Sequence, residues 1–526
     1  MKKRLVMILA IVLVIGIACL GIFVVPNCLG NSEKEDSADV LYIDLLDAGY
    51  GTQFCYEIKR IFEEQNPGKT VDITAGRTIQ LSTENKILAG PKRNKVDLFI
   101  TSYSDFRSLV SLGSRAVSGY DVCLEDLSKL YESVDERGVK IKDKLDKSFT
   151  DYVTLDGKYY AVPWASGPCG FMYNKTLFDH FGWPIPKTVT ELEALCQRIN
   201  SERANGDHGV YPIVYGGYSG SSYWSYVYNT WHAQYEGYDN YRAFWEGGTL
   251  KADGSYDYTN GYTVYKQEGR LESLKALDRI LGNEAYIMEG SSSFDHTTAQ
   301  SKLLTGKAAI MPTGDWVENE MKTGDNAGIV FKCEDLPGAP ETDIEYLSTP
   351  LLDVVASWAQ YKDQTGIDEN TGLDKSVLYQ RYLEASRYAF SIGFQHLALM
   401  PSYSNAKDLA YKFLEIMVSN QGCDIFLEKA GSPSPFKMNY TDEELATMNI
   451  SSFQKSKAQF ARNTVYITKF EMSPIRYKAG LANYKDPPES EIPSGTSPTD
   501  LFYREANYVQ NMWNSLLISA GLVKIN

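Results

Sequence analysis

Five histidines, His180, His208, His232, His296 and His396, are the chain's whole supply of ordinary near-neutral acid–base chemistry. No two of them stand four apart, so the paired-histidine helix that holds a catalytic zinc is absent. The chain also lacks a P-loop, a dinucleotide-binding glycine fingerprint and a G-x-S-x-G nucleophile elbow. Asp368, Asn370 and Asp374 approach the spacing of a calcium loop, but Gly at its sixth position and a closing Glu are missing. A solvated, Asx-rich turn is the expected reading there. Carboxylates are abundant, yet an acid pair for glycoside hydrolysis is defined by a separation in space of about 5 Å or about 6.5–9.5 Å, which sequence spacing leaves open. No catalytic residue, metal ligand or cofactor is assigned.

Aromatic residues are the unusual supply: 37 Tyr, 21 Phe and 8 Trp in 526 residues. That much Tyr exceeds what a core needs, because every buried hydroxyl requires a partner. It points to a wet, aromatic recognition surface. Asp and Glu number 67 against 52 Lys and Arg, a net charge of −15. Nucleic acid is excluded as a partner, since its binding depends on clustered cations that neutralise phosphates.

The elements that would position such a surface begin outside a membrane. Lys2, Lys3 and Arg4 precede an uncharged apolar run from Leu5 to Val25, long enough to span a bilayer. Residues 1–30 are therefore a signal peptide or membrane anchor. Lipidation at Cys19 is the alternative mode, although Gly16 and Ile17 fit a lipoprotein signal poorly. Residues 31–39 form a charged tether. Six dispersed cysteines follow, Cys55, Cys123, Cys169, Cys196, Cys333 and Cys423, and read as buried free thiols.

From residue 40 the pattern alternates. Strands are expected at Val40–Leu46, Val71–Thr74 and Val96–Ile100, with helices between them carrying Phe54, Ile58, Ile61 and Phe62, then residues 82–88. This order implies parallel strands joined by right-handed crossovers. Thr188 and Glu191 form a capping box, Leu409–Met417 an amphipathic helix ending at Gly422, and residues 499–520 a last helical stretch. Residues 211–265 read as Tyr- and Gly-rich loops of weak periodicity, and 363–374 and 486–498 as polar loops.

Residues 157–199 carry a specific signature: Gly157-Lys158 with Tyr160 and Pro163, then Tyr173-Asn174-Lys175 with Phe178, then Pro186, Thr188 and Glu191-Leu192. Gly306–Met311 followed by Gly314-Asp315-Trp316, and Ser404–Ser419 followed by Gly431 and Pro433, complete the series. In this order the motifs resemble those of the extracellular solute-binding proteins, family 1, the substrate-binding components of carbohydrate ABC importers. The resemblance implies an α/β, two-lobed, periplasmic-binding-protein-like fold of type II, with hinge-joined lobes and a ligand cleft between them. Lobe one is expected to hold residues 40–162 and 336–425, and lobe two 165–334 and 436–526. Residues 340–396 carry none of the motifs.

The implied partners are a carbohydrate, ABC permease subunits and, through the N-terminus, the outer face of the cytoplasmic membrane; the generous aromatic supply favours an oligosaccharide, and a monomer is expected. Trp316 matches the family's ligand-contacting tryptophan, with lobe-two core as the plain alternative. Trp164 should face the cleft mouth or pack the hinge. Tyr223 and Trp224, beside Ser219–Ser222, would stack on the sugar from lobe two, unless they belong to a surface loop. Thr101, Ser102, Asp105 and Asp315 would supply polar contacts, with helix capping the alternative for Asp105. Phe502 and Tyr503 are better placed in a helix core, Tyr173 at the hinge, and Arg77 and His396 outside the site. A cell-surface glycoside hydrolase and a ligand sensor for a membrane kinase are the rival functions.

Overall fold

The strands that frame the molecule, in a computed structural model, are β1 (Val40–Leu46), β2 (Thr70–Gly76), β3 (Leu98–Ser102), β4 (Val162–Pro163), β5 (Cys169–Asn174), β6 (Tyr211–Ile213), β7 (Ala308–Gly314), β8 (Ile344–Leu347), β9 (Tyr388–Phe390), β10 (His396–Leu399) and β11 (Val465–Ile467). The structure describes residues 38–77, 80–103, 105–112, 117–218, 223–322, 329–336, 338–481 and 487–523. The leader, Cys19, nearly all of the tether and Ser219–Ser222 lie outside the described residues.

The first sheet has the order β2-β1-β3-β10-β4. β1 runs parallel to β2 from Val40↔Thr70 to Leu46↔Gly76 and parallel to β3 through Ile43↔Leu98, as the β-α-β-α-β pattern predicts. The helix Gln53–Gln65 turns Phe54, Cys55, Ile58, Ile61 and Phe62 inward, the stripe legible at helical spacing. β10 enters antiparallel between β3 and β4.

The second sheet has the order β11-β9-β5-β7-β6, with β8 also paired to β5. β5 and β7 are buried along their whole length, as central strands covered on both faces are. The sheet corrects the expected lobe boundaries. β8 pairs with β5 from Ile344↔Asn174 to Leu347↔Phe171, and β9 meets β5 at Phe390↔Cys169. Residues 336–390 therefore sit with the second lobe. The chain passes back to the first between β9 and β10, well after residue 335.

The same correction explains residues 211–265, which contain two helices, Trp224–Glu236 and Tyr238–Glu246. In the first of them every residue but Ser225 is buried, so no polar face exists to betray a period. Its polar side chains dock the unplaced stretch: Gln234 Nε2 donates to the Thr349 carbonyl (3.1 Å), Gln234 Oε1 accepts from Leu352 N (3.1 Å), and Trp231 Nε1 donates to the Pro350 carbonyl (2.8 Å). Two smaller expectations also change. The helix Lys407–Val418 stops at Ser419, whose side chain caps a second helix, Asn420–Ala430, with Gly422 inside it. Thr188 caps the helix Val189–Asn205 through Glu191 N, but the Glu191 carboxylate accepts from Lys187 N, so the box is only half formed.

Three crossings join the lobes, at about residues 164–168, 391–395 and 431–436, and they bond to each other. Ser166 Oγ donates to the Pro433 carbonyl (3.0 Å), and Ser391 Oγ donates to the Ser166 carbonyl (3.3 Å). Gly393 passes so close that a Cβ there would lie 2.0 Å from the Ala165 carbonyl oxygen. All six cysteines beyond residue 40 are free and buried. Among the described residues no helix is long and apolar enough to cross a membrane.

Candidate functional site

Loops at the carboxyl ends of β1 and β7 face each other across the lobes, where open α/β sheets place their ligands. After β1 come Asp47, Ala48, Gly49 and Tyr50; after β7 come Asp315 and Trp316. The Trp316 indole is held between two glycines. A Cβ on Gly49 would come 2.8 Å from the ring, and one on Gly314 would come 1.8 Å from it. Only glycine allows that approach from either side.

Tyr50 occupies the centre of the junction. Its ring meets Trp164 edge-on at 5.9 Å, Trp316 at 6.1 Å and His396 at 5.4 Å. Its hydroxyl donates to Asp315 Oδ1 at 2.7 Å, and Asn319 Nδ2 donates to the Gly49 carbonyl at 2.8 Å. Both bonds run from one lobe to the other. Lys457 Nζ donates to the Asp315 carbonyl (2.7 Å) and stands 3.8 Å from Oδ2. Asp315 is buried against Gly167 of the first crossing, where a Cβ would fall 1.8 Å from the carboxylate. Burial pushes the Asp315 carboxyl up from the usual carboxylate range, while Lys457 and the hydroxyls of Ser432 and Tyr50 pull it down. Burial likewise lowers Lys457 and raises Tyr50.

The other sequence-predicted residues divide around this centre. Trp164 stacks on Phe54 (5.6 Å, 15°) and donates its Nε1 to the Thr101 carbonyl (3.0 Å), a hinge-packing position. Tyr223 is half-buried, meets Trp316 edge-on at 5.8 Å and lies over Tyr226 at 5.2 Å. Its φ of +58° is the left-handed conformation that a bulky residue rarely adopts. Trp224 is not at the cleft: it is fully buried against Phe171 and Tyr215 in the second lobe. Thr101 is also buried, its hydroxyl 3.1 Å from that of Thr83. Ser102 pairs with His396 in the sheet, and Asp105 accepts from the Ser108 hydroxyl (2.7 Å), a contact between side chains beside the helix Phe106–Leu112. Phe502 is core, Tyr503 is exposed, and Tyr173 donates to Glu345 (2.6 Å) within the second lobe, away from the hinge.

Beside Trp316 opens a cavity of about 860 Å³, walled by Asp47, Gly49, Gly51–Gln53 and Arg77 from the first lobe and by His296–Thr298, Ser301 and Lys302 with Asn319 and Glu320 from the second. Phe331 supplies the one benzene ring among its lining residues. His296 Nε2 lies 3.5 Å from Glu320 Oε1, and Gln300 Nε2 donates to Glu320 Oε2 (2.8 Å). The Glu320 carboxylate raises the His296 pKa. Burial raises Glu320 itself, but its bonds to His296 and Gln300 outweigh that and leave it lowered. Sequence reasoning missed Tyr50, His296, Asn319 and Glu320 and set Arg77 aside. The strand-end rule that nominated Thr101–Asp105 after β3 points equally to Tyr50 after β1 and Arg77 after β2. Among the described residues no three His, Cys, Asp or Glu side chains group as metal ligands.

The fold has known counterparts. A family model described as bacterial extracellular solute-binding protein matches residues 57–450. A diacetylchitobiose binding protein of Streptomyces coelicolor is 25% identical over 299 residues, 57% of each chain. A multiple sugar-binding protein of Streptococcus mutans is 21% identical over 308 residues, 56% of this chain and 61% of the other. The chain thus spans about three fifths of the length of the curated relatives it matches. Among solved structures, a chitin oligosaccharide binding protein superposes with a TM-score of 0.57 at 17% identity, over 90% of this chain and 99% of the other, a likeness of fold. With three quarters of its length matched by the family model, the chain belongs to the bacterial extracellular solute-binding proteins.

Proposed function

We propose that this chain is the extracytoplasmic substrate-binding component of an ABC importer, which captures a carbohydrate, specifically an oligosaccharide, between its lobes and delivers it unchanged to permease subunits. One observation carries the reading. The strand-end loops of two separate sheets meet at Tyr50 and Asp315 beside a cavity of about 860 Å³. That volume falls within the range of small-molecule sites. The names of the relatives support a sugar, as does the Trp316 indole, which packs on Gly49 of the cavity wall and meets Tyr223 edge-on.

The geometry supplies a closing device. Ligand contacts made to both lobes at once are what shift a hinge toward its closed form; contacts made equally in both forms shift nothing. Closure joins Tyr50 to Asp315 and Asn319 to the Gly49 carbonyl and leaves the cavity between the lobes for the sugar. Asn319, Asp47 and Gln53 then offer planar polar partners to its hydroxyls. The basic start and apolar run of residues 2–25 hold the monomer at the membrane.

The test is a thermal-shift screen of the full chain in detergent against mono- and oligosaccharides, peptides and polyamines. A ligand at about 100 times its Kd adds about 2.7 kcal/mol, or about 5–10 °C for a lobe of this size. Shifts confined to peptides or polyamines overturn the sugar assignment. Release of reducing ends from a glycan that shifts the protein would make it a hydrolase instead.

A further inference from the structure

We propose that the cleft selects a glycan carrying an anionic group, a carboxylate or a sulfate ester, and that Arg77, Lys302 and Lys429 receive it; this rests on the carbohydrate reading above. The cavity inverts the charge of the molecule around it. The chain carries −15 overall, yet among the described residues these three cations line the cavity against two carboxylates, Asp47 and Glu320. Glu320 is already engaged by His296 and Gln300. None of the three cations has a carboxylate within ion-pair distance among the described residues. Two other lysines of the second lobe are doubly paired: Lys322 reaches both Glu318 and Glu341, and Lys307 reaches both Glu334 and Asp335.

Their placement matters as much as their number. Arg77 follows β2 of the first sheet, and Lys429 lies near the end of the helix Asn420–Ala430 that packs on that lobe. Lys302 comes from the helix His296–Leu304 of the second lobe. Closing the hinge brings like charges from opposite lobes toward one space, which is unfavourable until an anion lies between them. An anionic group therefore adds a two-lobe contact beyond those that a neutral sugar makes through Asn319, Asp47 and Gln53. The Arg77 guanidinium suits this role, since its planar fork matches a carboxylate or sulfate with two parallel hydrogen bonds. Stacking offers little alternative within the cavity itself, where Phe331 is the one benzene ring.

Calorimetric titration of the full chain in detergent with matched pairs tests this. The pairs are oligogalacturonate and its methyl ester, an aldouronic acid and the plain xylo-oligosaccharide, and a chondroitin sulfate oligosaccharide and its desulfated form. In at least one pair the charged member is expected to bind about tenfold tighter or more, the worth of one charge-assisted contact. That preference should shrink as salt rises. The first two pairs against the third separate carboxylate from sulfate. R77Q and K302Q are each expected to erase about tenfold of that affinity while leaving the unliganded melting temperature in place. Neutral members binding as tightly as charged ones, or R77Q binding unchanged, overturns the anionic inference and leaves the carbohydrate reading standing. Binding of simple carboxylic acids with no glycan bound does the reverse, and a panel without any binding overturns both.

Discussion

Replacing Tyr50 by Phe removes one oxygen from the middle of the lobe junction and leaves the ring in place. The lost hydroxyl donates to a buried carboxylate, Asp315 Oδ1, at 2.7 Å. Oδ2 has no hydrogen-bond partner, so the variant leaves a buried carboxylate dependent on Lys457 at 3.8 Å and the nearby Ser432. A hydrogen bond to a charged group is worth about 1.5–3 kcal/mol. Taking about 2 kcal/mol, and noting that the bond joins the loop after β1 to the loop after β7, its loss belongs to the closure equilibrium and shifts the closed-to-open ratio about 30-fold. Small-angle X-ray scattering of the unliganded full chain in detergent should then show a larger radius of gyration for Y50F than for the parent. The melting temperature should move by less than about 2 °C, because each lobe keeps its own core. The reasoning fails if Y50F melts about 4–8 °C lower with unchanged dimensions. That outcome would place the whole 2 kcal/mol in global unfolding and make the pair ordinary core.

Three further outcomes are expected. Burial pushes His396 down to about 4 and His232 to about 3 from an ordinary 6.5, so the unfolded chain accepts protons that the folded one refuses. Stability is therefore complete above about pH 6.5 and falls as pH drops toward 4, with His396 contributing up to about 3 kcal/mol; urea midpoints at stepped pH should show this slope, and H396Q should flatten part of it. Gly393→Ala forces a Cβ onto the Ala165 carbonyl oxygen and is expected to lower the melting temperature by several degrees and slow ligand closure, measured by stopped-flow Trp fluorescence. Gln234→Leu leaves the Thr349 carbonyl and Leu352 N without their partner inside the second lobe, at a cost of about 2–4 kcal/mol read from denaturant unfolding.

The β1–β3 part of the first sheet was legible because its elements are local and amphipathic; β4 and β10, which join from far along the chain, were not. Val40–Leu46 and the stripe Phe54, Ile58, Ile61 and Phe62 declare themselves within one short stretch of chain. The helix Trp224–Glu236 was illegible for the opposite reason: buried on all sides, it carries Tyr, Trp and Asn where a surface helix alternates, and its composition reads as loop. Residues 336–390 were misplaced because strand pairing across 170 residues, as in Ile344↔Asn174, leaves no local trace. The motif Gly314-Asp315-Trp316 located the junction, and the two glycines around the indole give its physical basis. Trp224 was wrongly drawn to the cleft by its neighbour Tyr223. Consecutive residues there point apart, one toward Trp316 and the other into the lobe.

The position of β10 has a consequence for how the chain is made. It sits between β3 and β4, yet it is synthesised only after the whole stretch from Cys169 to Phe390 has emerged. Until Leu399 leaves the export channel, β3 has an open hydrogen-bonding edge and β4 has no partner in its sheet. Such an edge invites pairing with a neighbouring nascent chain. The second lobe receives β11 later still, so neither lobe can finish before most of the polypeptide has crossed the membrane. Two half-built sheets must therefore stay apart from each other and from other copies while the chain is made, and truncation just before β10 is expected to give an aggregation-prone fragment rather than a free lobe.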